Sequence, residues 1–128
     1  MNRTQWNKNL YLINFALLFT HEIDSAFWKE WELFRLPGGI QGFLTANFLL
    51  LIIALYGFKK LLSGEKSGHV FSLILARGGI FAFIIHGYFI FTGRDEFTLP
   101  ASISMILLVL IFVVSVFQAY STIKTIKS

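Results

Sequence analysis

The residues best equipped for chemistry stand together in His21-Glu22-Ile23-Asp24-Ser25, at the far end of an uncharged run that begins at Asn9. Imidazoles exchange protons near neutral pH, and both imidazoles and carboxylates ligate divalent metals. At 100° per residue, His21, Asp24, Ser25 and Trp28 share one helix face, Asn14 lies two turns earlier on it, and Glu22 sits at its margin. A second imidazole, His86, falls in another apolar stretch. Two chemistries fit this set. In one, His21, His86 and one or two of Glu22 and Asp24 bind a divalent metal such as zinc, iron or manganese. In the other, a carboxyl group desolvated in a membrane holds its proton more tightly and pairs with an imidazole as acid and base, which makes Glu22, Asp24 and His86 the candidate catalytic groups for a lipid-like substrate. The plainer alternative is that His21 hydrogen-bonds a neighbouring helix while Glu22 and Asp24 mark the wet end of a membrane span. His21-Glu22 opens like the HExxH zinc helix, but Ser25 stands where the second histidine belongs, which argues against a metalloprotease.

Only long apolar elements can bring such groups together in this chain. Of its 128 residues, 55% are hydrophobic and 14% charged, against roughly 45–50% and about 25% in soluble domains. That departure runs in the direction a bilayer favours. Uncharged runs cover 9–21, 36–58, 67–76, 78–93 and 97–123, with Arg77 alone separating the third from the fourth. A span needs about 20 apolar residues. The expectation is therefore one domain, 1–128, with four spans at about 8–28, 39–58, 70–92 and 100–121. The first run is too short to cross alone and does so only by continuing through Glu22 and Asp24 to Trp28. No small-x-small site follows it, as a cleaved signal peptide would require. Trp28 and Trp31 suit the membrane interface. Pro37-Gly38-Gly39 and Ser63-Gly64 punctuate the chain between spans, and Pro100 suits the first turn of the last. Because backbone in lipid must satisfy its own hydrogen bonds, the fold class is all-α, an antiparallel four-helix transmembrane bundle. The apolar composition excludes disorder, and the absence of cysteine excludes a disulfide framework.

Charge sets the expected orientation. Arg3, Lys8, Lys59, Lys60, Lys66, Lys124 and Lys127 flank one side, and Lys29, Arg35 and Arg94 the other, so both termini are expected to be cytoplasmic. The net charge of +4 then reflects topology, and no basic stripe with interleaved aromatics indicates a nucleic-acid partner. Ionisable groups at the centre of a span cost at least about 2.5 kcal/mol each and normally face the bundle. On that ground His21 and His86, at similar depths in the outer half, are expected to meet. Gln41, Thr45 and Asn47 are placed to complete a polar pocket, with Ser102 and Ser104 from the last span. Arg77 belongs to a deeper layer, either as a staple to Asn14, Ser115 and Gln118 or snorkelling to the cytoplasmic headgroups. Read as a helical extension, the aromatic segment 27–36 puts Asp24, Trp28, Trp31, Glu32 and Arg35 on one broad face, as interfacial anchor or substrate cap.

The stretch HEIDSAFWKEWELFRLPGGIQGFL, with the four-span layout, resembles a family of small bacterial membrane proteins of unknown function. The resemblance implies a bacterial cytoplasmic-membrane setting and no established activity. A looser similarity is to the His-x-x-Glu-Glu membrane family. Here the acids follow His21 by one and three residues rather than three and four, so no role carries over to Glu22 or Asp24. The function expected from these readings is an outward-opening site of His21, Glu22, Asp24 and His86 that binds or acts on a small amphiphilic ligand, with a divalent metal as the candidate cofactor. The rival expectation is an accessory protein for a membrane-protein partner, or a transporter subunit.

Overall fold

The computed structural model describes residues 1–93 and 103–128. Arg94, Asp95, Glu96, Pro100 and Ser102, to which the sequence assigns an outer loop and the start of the last span, lie outside the described residues. Those described fold into helices: α1 (Arg3–Phe27), the single-turn α2 (Glu30–Leu33), α3 (Gly39–Leu62), α4 (Lys66–Phe91) and α5 (Ile103–Lys127). Among the described residues the all-α class is as the sequence predicts, and each of the four long helices overlaps one of the stretches read as a span.

Local chemistry accounts for the boundaries. Asn2 caps α1, its side-chain oxygen accepting from the Gln5 amide at 2.8 Å. Pro37 cannot continue a helix, and Gly38 and Gly39 adopt φ of 84° and 57°, a left-handed turn that suits glycine, where α3 begins. The expected helical extension through Arg35 does not form. The chain breaks at Trp28, and Lys29 takes a left-handed φ of 53° that turns α2 away from the α1 axis.

Neighbouring long helices pack antiparallel. Asn7 of α1 bonds Thr125 of α5, Asn14 bonds Ser115, and Asp24 bonds Ser104, so contacts ascend one helix as they descend the other. Ser72 of α4 meets Thr122 of α5 in the same sense, and Tyr11 of α1 donates to the Ala54 carbonyl of α3 at 2.6 Å. It follows that α1 and α4 run in the same direction. His21 and His86, each near the C-terminal end of its helix, therefore come level.

The interior is the polar part. α1 buries Asn7, Leu10, Tyr11, Asn14, His21 and Ser25, a spacing of three, four or seven that forms one helical stripe. Opposite it, α4 buries Gly68, Ser72, Ala76, Gly79 and His86. The small residues permit close approach, as between membrane helices. Gly79 is the tightest point, since a Cβ there would collide with the Ser115 hydroxyl. Buried amides must be paired, and these are: Asn14 Nδ2 donates to Gln118 Oε1 at 2.7 Å and Ser115 Oγ at 3.0 Å, and Gln118 Nε2 donates to Ser72 Oγ at 2.9 Å. Outside, leucine, isoleucine, valine and phenylalanine are exposed along every long helix. Only 6% of the apolar window of α3 is buried, against 33% for α5, which makes α3 the peripheral helix.

Among the described residues, three helices, α3, α4 and α5, are long and apolar enough to cross a membrane, where four were expected. α1 is as long, at 25 residues. It falls outside that set because its sequence carries the polar stripe of the core together with Glu22 and Asp24.

Candidate functional site

Helix phase places His21 on the buried stripe of α1, and helix direction brings His86 of α4 beside it. The ring centroids are 4.9 Å apart and nearly perpendicular, at 86°. The third member of the group is Glu30, the first residue of α2, with Oε1 3.2 Å from His86 Nε2. One ligand-type atom from each of His21, Glu30 and His86 lies within 4.8 Å of the other two. The residues are 2%, 5% and 2% exposed, so bulk water does not screen the group.

The segment 29–36 holds this carboxylate in place. Lys29 and Arg35 bracket it with left-handed φ of 53° and 51°. Backbone bonds from Phe34 N to Glu30 O (2.9 Å) and Leu36 N to Trp31 O (2.8 Å) close the turn. Trp31 packs on Phe43 of α3 at 5.4 Å between centroids. Phe34 covers His86 edge-on at 6.1 Å and Phe89 at 5.5 Å. Phe34 thus lies against the His86 imidazole, while Trp31 ties the segment to α3.

The other residues singled out in the sequence fall around this group. Glu22 is half-buried at the α1–α3 boundary, near Asn47, Glu30 and His86. Asp24 faces α5, where its Oδ1 accepts from Ser104 Oγ at 3.0 Å; its Oδ2 is buried and accepts nothing among the described residues. Neither acid belongs to the triplet of ligand atoms. Ser25 is fully buried, and its hydroxyl has no partner among the described residues. Asn47 donates to the Phe43 carbonyl at 3.0 Å, whereas Gln41 and Thr45 are exposed, and Thr45 bonds its own helix at the Gln41 carbonyl. Arg77 points out of the bundle. Of its two expected roles, the staple is not made among the described residues, where Asn14, Ser115 and Gln118 satisfy one another and Ser72.

Glu30 is the residue that sequence reasoning missed, and the reason is geometric. Nine residues past His21 on an unbroken helix means 900°, the opposite face. The break at Lys29 reverses that placement. The usable signal was the residue type alone, an acid amid interfacial aromatics.

Together these features define a class: among the described residues, a helical bundle with an apolar exterior, three helices long and apolar enough to cross a membrane, and a buried His–His–Glu group with Phe34 against one imidazole. The chain belongs to a family of unknown function, DUF6713, whose model matches residues 7–125 and so takes in nearly the whole bundle. No curated protein and no solved structure matches it.

Proposed function

We propose that this is a multi-pass protein of the bacterial cytoplasmic membrane, with α1, α3, α4 and α5 all crossing and both termini cytoplasmic. In this reading the site around His21, Glu30 and His86, with Glu22 and Asp24 beside it, binds or acts on a small amphiphilic, lipid-like ligand from the outer half of the bilayer. The observation that carries the reading is the burial of two imidazoles and a carboxylate, from three helices, inside an otherwise lipophilic bundle. Such groups are costly to bury and mark functional sites in membranes by default. α1 supports the reading too. From Leu10 to Phe27 it extends about 27 Å at 1.5 Å per residue, and its exposed large side chains there, Leu12, Ile13, Phe19, Ile23 and Phe27, are apolar. Its low hydropathy comes largely from the side that faces the core.

Photolabelling of the purified full chain with a diazirine-bearing long-chain fatty acid tests the ligand. Labelling is expected to concentrate on the outer ends of α1 and α3, to be competed by unlabelled fatty acid, and to fall at least about 10-fold in His86→Ala, as for loss of about 1.4 kcal/mol of binding. Uniform labelling, unchanged in that variant, would overturn the reading.

One observation favours the alternative of an accessory protein. Arg77 is exposed eleven residues from Lys66 and fourteen from Phe91, close to the midpoint of α4. A cation on the outer surface at that depth suits a partner helix that carries a carboxylate.

A further inference from the structure

We infer that His21, Glu30 and His86 are the three protein ligands of a divalent metal ion of the zinc class, with α2 supplying the third ligand. The inference rests on the site proposed above and names what occupies it.

Tetrahedral zinc holds nitrogen and oxygen ligands at about 2.0–2.2 Å, which puts ligand atoms about 3.4 Å from one another. His86 Nε2 and Glu30 Oε1, at 3.2 Å, already have that separation. The full triplet lies within 4.8 Å, so small side-chain rotations about a common centre complete the geometry without moving a helix. The ligands come from α1, α2 and α4, so each has a separate backbone anchor.

Unused hydrogen-bonding capacity supports the assignment. Glu30 Oε1 is buried and accepts no hydrogen bond among the described residues, although an imidazole nitrogen is close. A buried carboxylate oxygen left in that condition is costly unless a cation neutralises it. Ser25 adds a second such atom. It lies four residues after His21, hence on the same face, and its fully buried hydroxyl has no partner among the described residues. It is suited to hydrogen-bond a fourth, exchangeable ligand on the ion.

The donor set favours a divalent transition-metal ion. Two imidazoles and one carboxylate with an open position match catalytic zinc coordination. Calcium takes six to eight oxygens, and magnesium keeps mostly oxygen and water ligands. Copper(I) prefers thiolate and thioether sulfur, and the chain has no cysteine. The site's location makes an amphiphile's polar headgroup the natural fourth ligand.

The test is a titration of the detergent-purified full chain, stripped with chelator, with Co²⁺ and then Zn²⁺. One equivalent of cobalt is expected to give the visible absorption of a four-coordinate ion, and zinc to displace it. The near-isosteric Glu30→Gln and the His21→Ala and His86→Ala variants should weaken binding at least about 100-fold, the upper range for changes in a metal's outer shell alone. Glu65→Gln, between α3 and α4 and away from the site, should bind as the parent does. Size-exclusion profile and thermal midpoint identify any variant that has lost its fold, and the parent stoichiometry and Glu30→Gln decide without it. Absence of stoichiometric cobalt or zinc in the parent, or unchanged affinity in folded Glu30→Gln, overturns the inference. Fatty-acid photolabelling of the same protein, both metal-free and metal-loaded, separates the two readings. Histidine-dependent labelling without metal uptake removes the ion and leaves the lipid site, whereas metal uptake without labelling does the reverse.

Discussion

Asn14 shows how strongly single polar residues hold this bundle. It is fully buried and joins α1 to α5 through Ser115 and Gln118, while Gln118 continues to Ser72 on α4. Hydrogen bonds between membrane helices contribute about 0.6 kcal/mol on average and up to about 1.7 kcal/mol. Asn14→Leu removes the hydrogen bonds of its amide to both Ser115 and Gln118 and leaves the Gln118 carbonyl oxygen without its donor, so the expected loss is about 1–3 kcal/mol. Reversible unfolding in mixed micelles measures it, and a change within a few tenths of a kcal/mol would mean that the network positions helices without stabilising them. Asp24 and Glu30 show the same rule from the other side. Asp24 has one oxygen bonded to Ser104 and one without a partner among the described residues, and Glu30 has an unused oxygen beside an imidazole.

At the scale of elements, the decisive contrast is between two adjacent glycines of α4. Gly79 lies against α5, where an added Cβ meets Ser115 and Ile111, whereas Gly78 faces outward with nothing within 4 Å. Gly79→Leu is expected to destabilise by about 1–3 kcal/mol through overpacking, and Gly78→Leu to change stability by less than about 0.5 kcal/mol, as at ordinary surface positions. Equal effects in a thermal-unfolding comparison would show that the α4–α5 contact is not as close as described. α2 is the second informative element. Its four residues cannot be stable alone, and it is held by left-handed turns at Lys29 and Arg35 and by Trp31 and Phe34 packed on α3 and α4. That arrangement is what turns Glu30 inward.

For the whole molecule, the testable matter is how the bundle sits in a membrane. The chain contains no cysteine, so single-cysteine probes report without background. With four crossings, Gln5→Cys, Ser63→Cys and Ser128→Cys should react only from the cytoplasmic side with a membrane-impermeant maleimide, and Glu32→Cys only from the outside. Reaction of Glu32→Cys and Ser63→Cys from the same face would leave α3 short of a crossing and overturn the arrangement. The positive-inside count and the apolar exterior of α3, α4 and α5 underlie this expectation.

The long helices and the inward phase of Asn14, His21 and Ser25 were legible before any coordinates, because hydropathy and helical period are properties of neighbouring residues. So was the pairing of depths that makes His21 and His86 candidates to meet. Glu30 was not legible: its membership depends on one left-handed residue, Lys29, and on aromatics that find their partners on other helices. The outward direction of Arg77 likewise depends on how α4 is rotated against α5, with Gly79 and Ser115 in contact. Periodicity along a chain establishes which face of a helix is polar. Which other face it meets, and which turn brings a distant carboxylate back to it, is settled by packing among segments far apart in sequence.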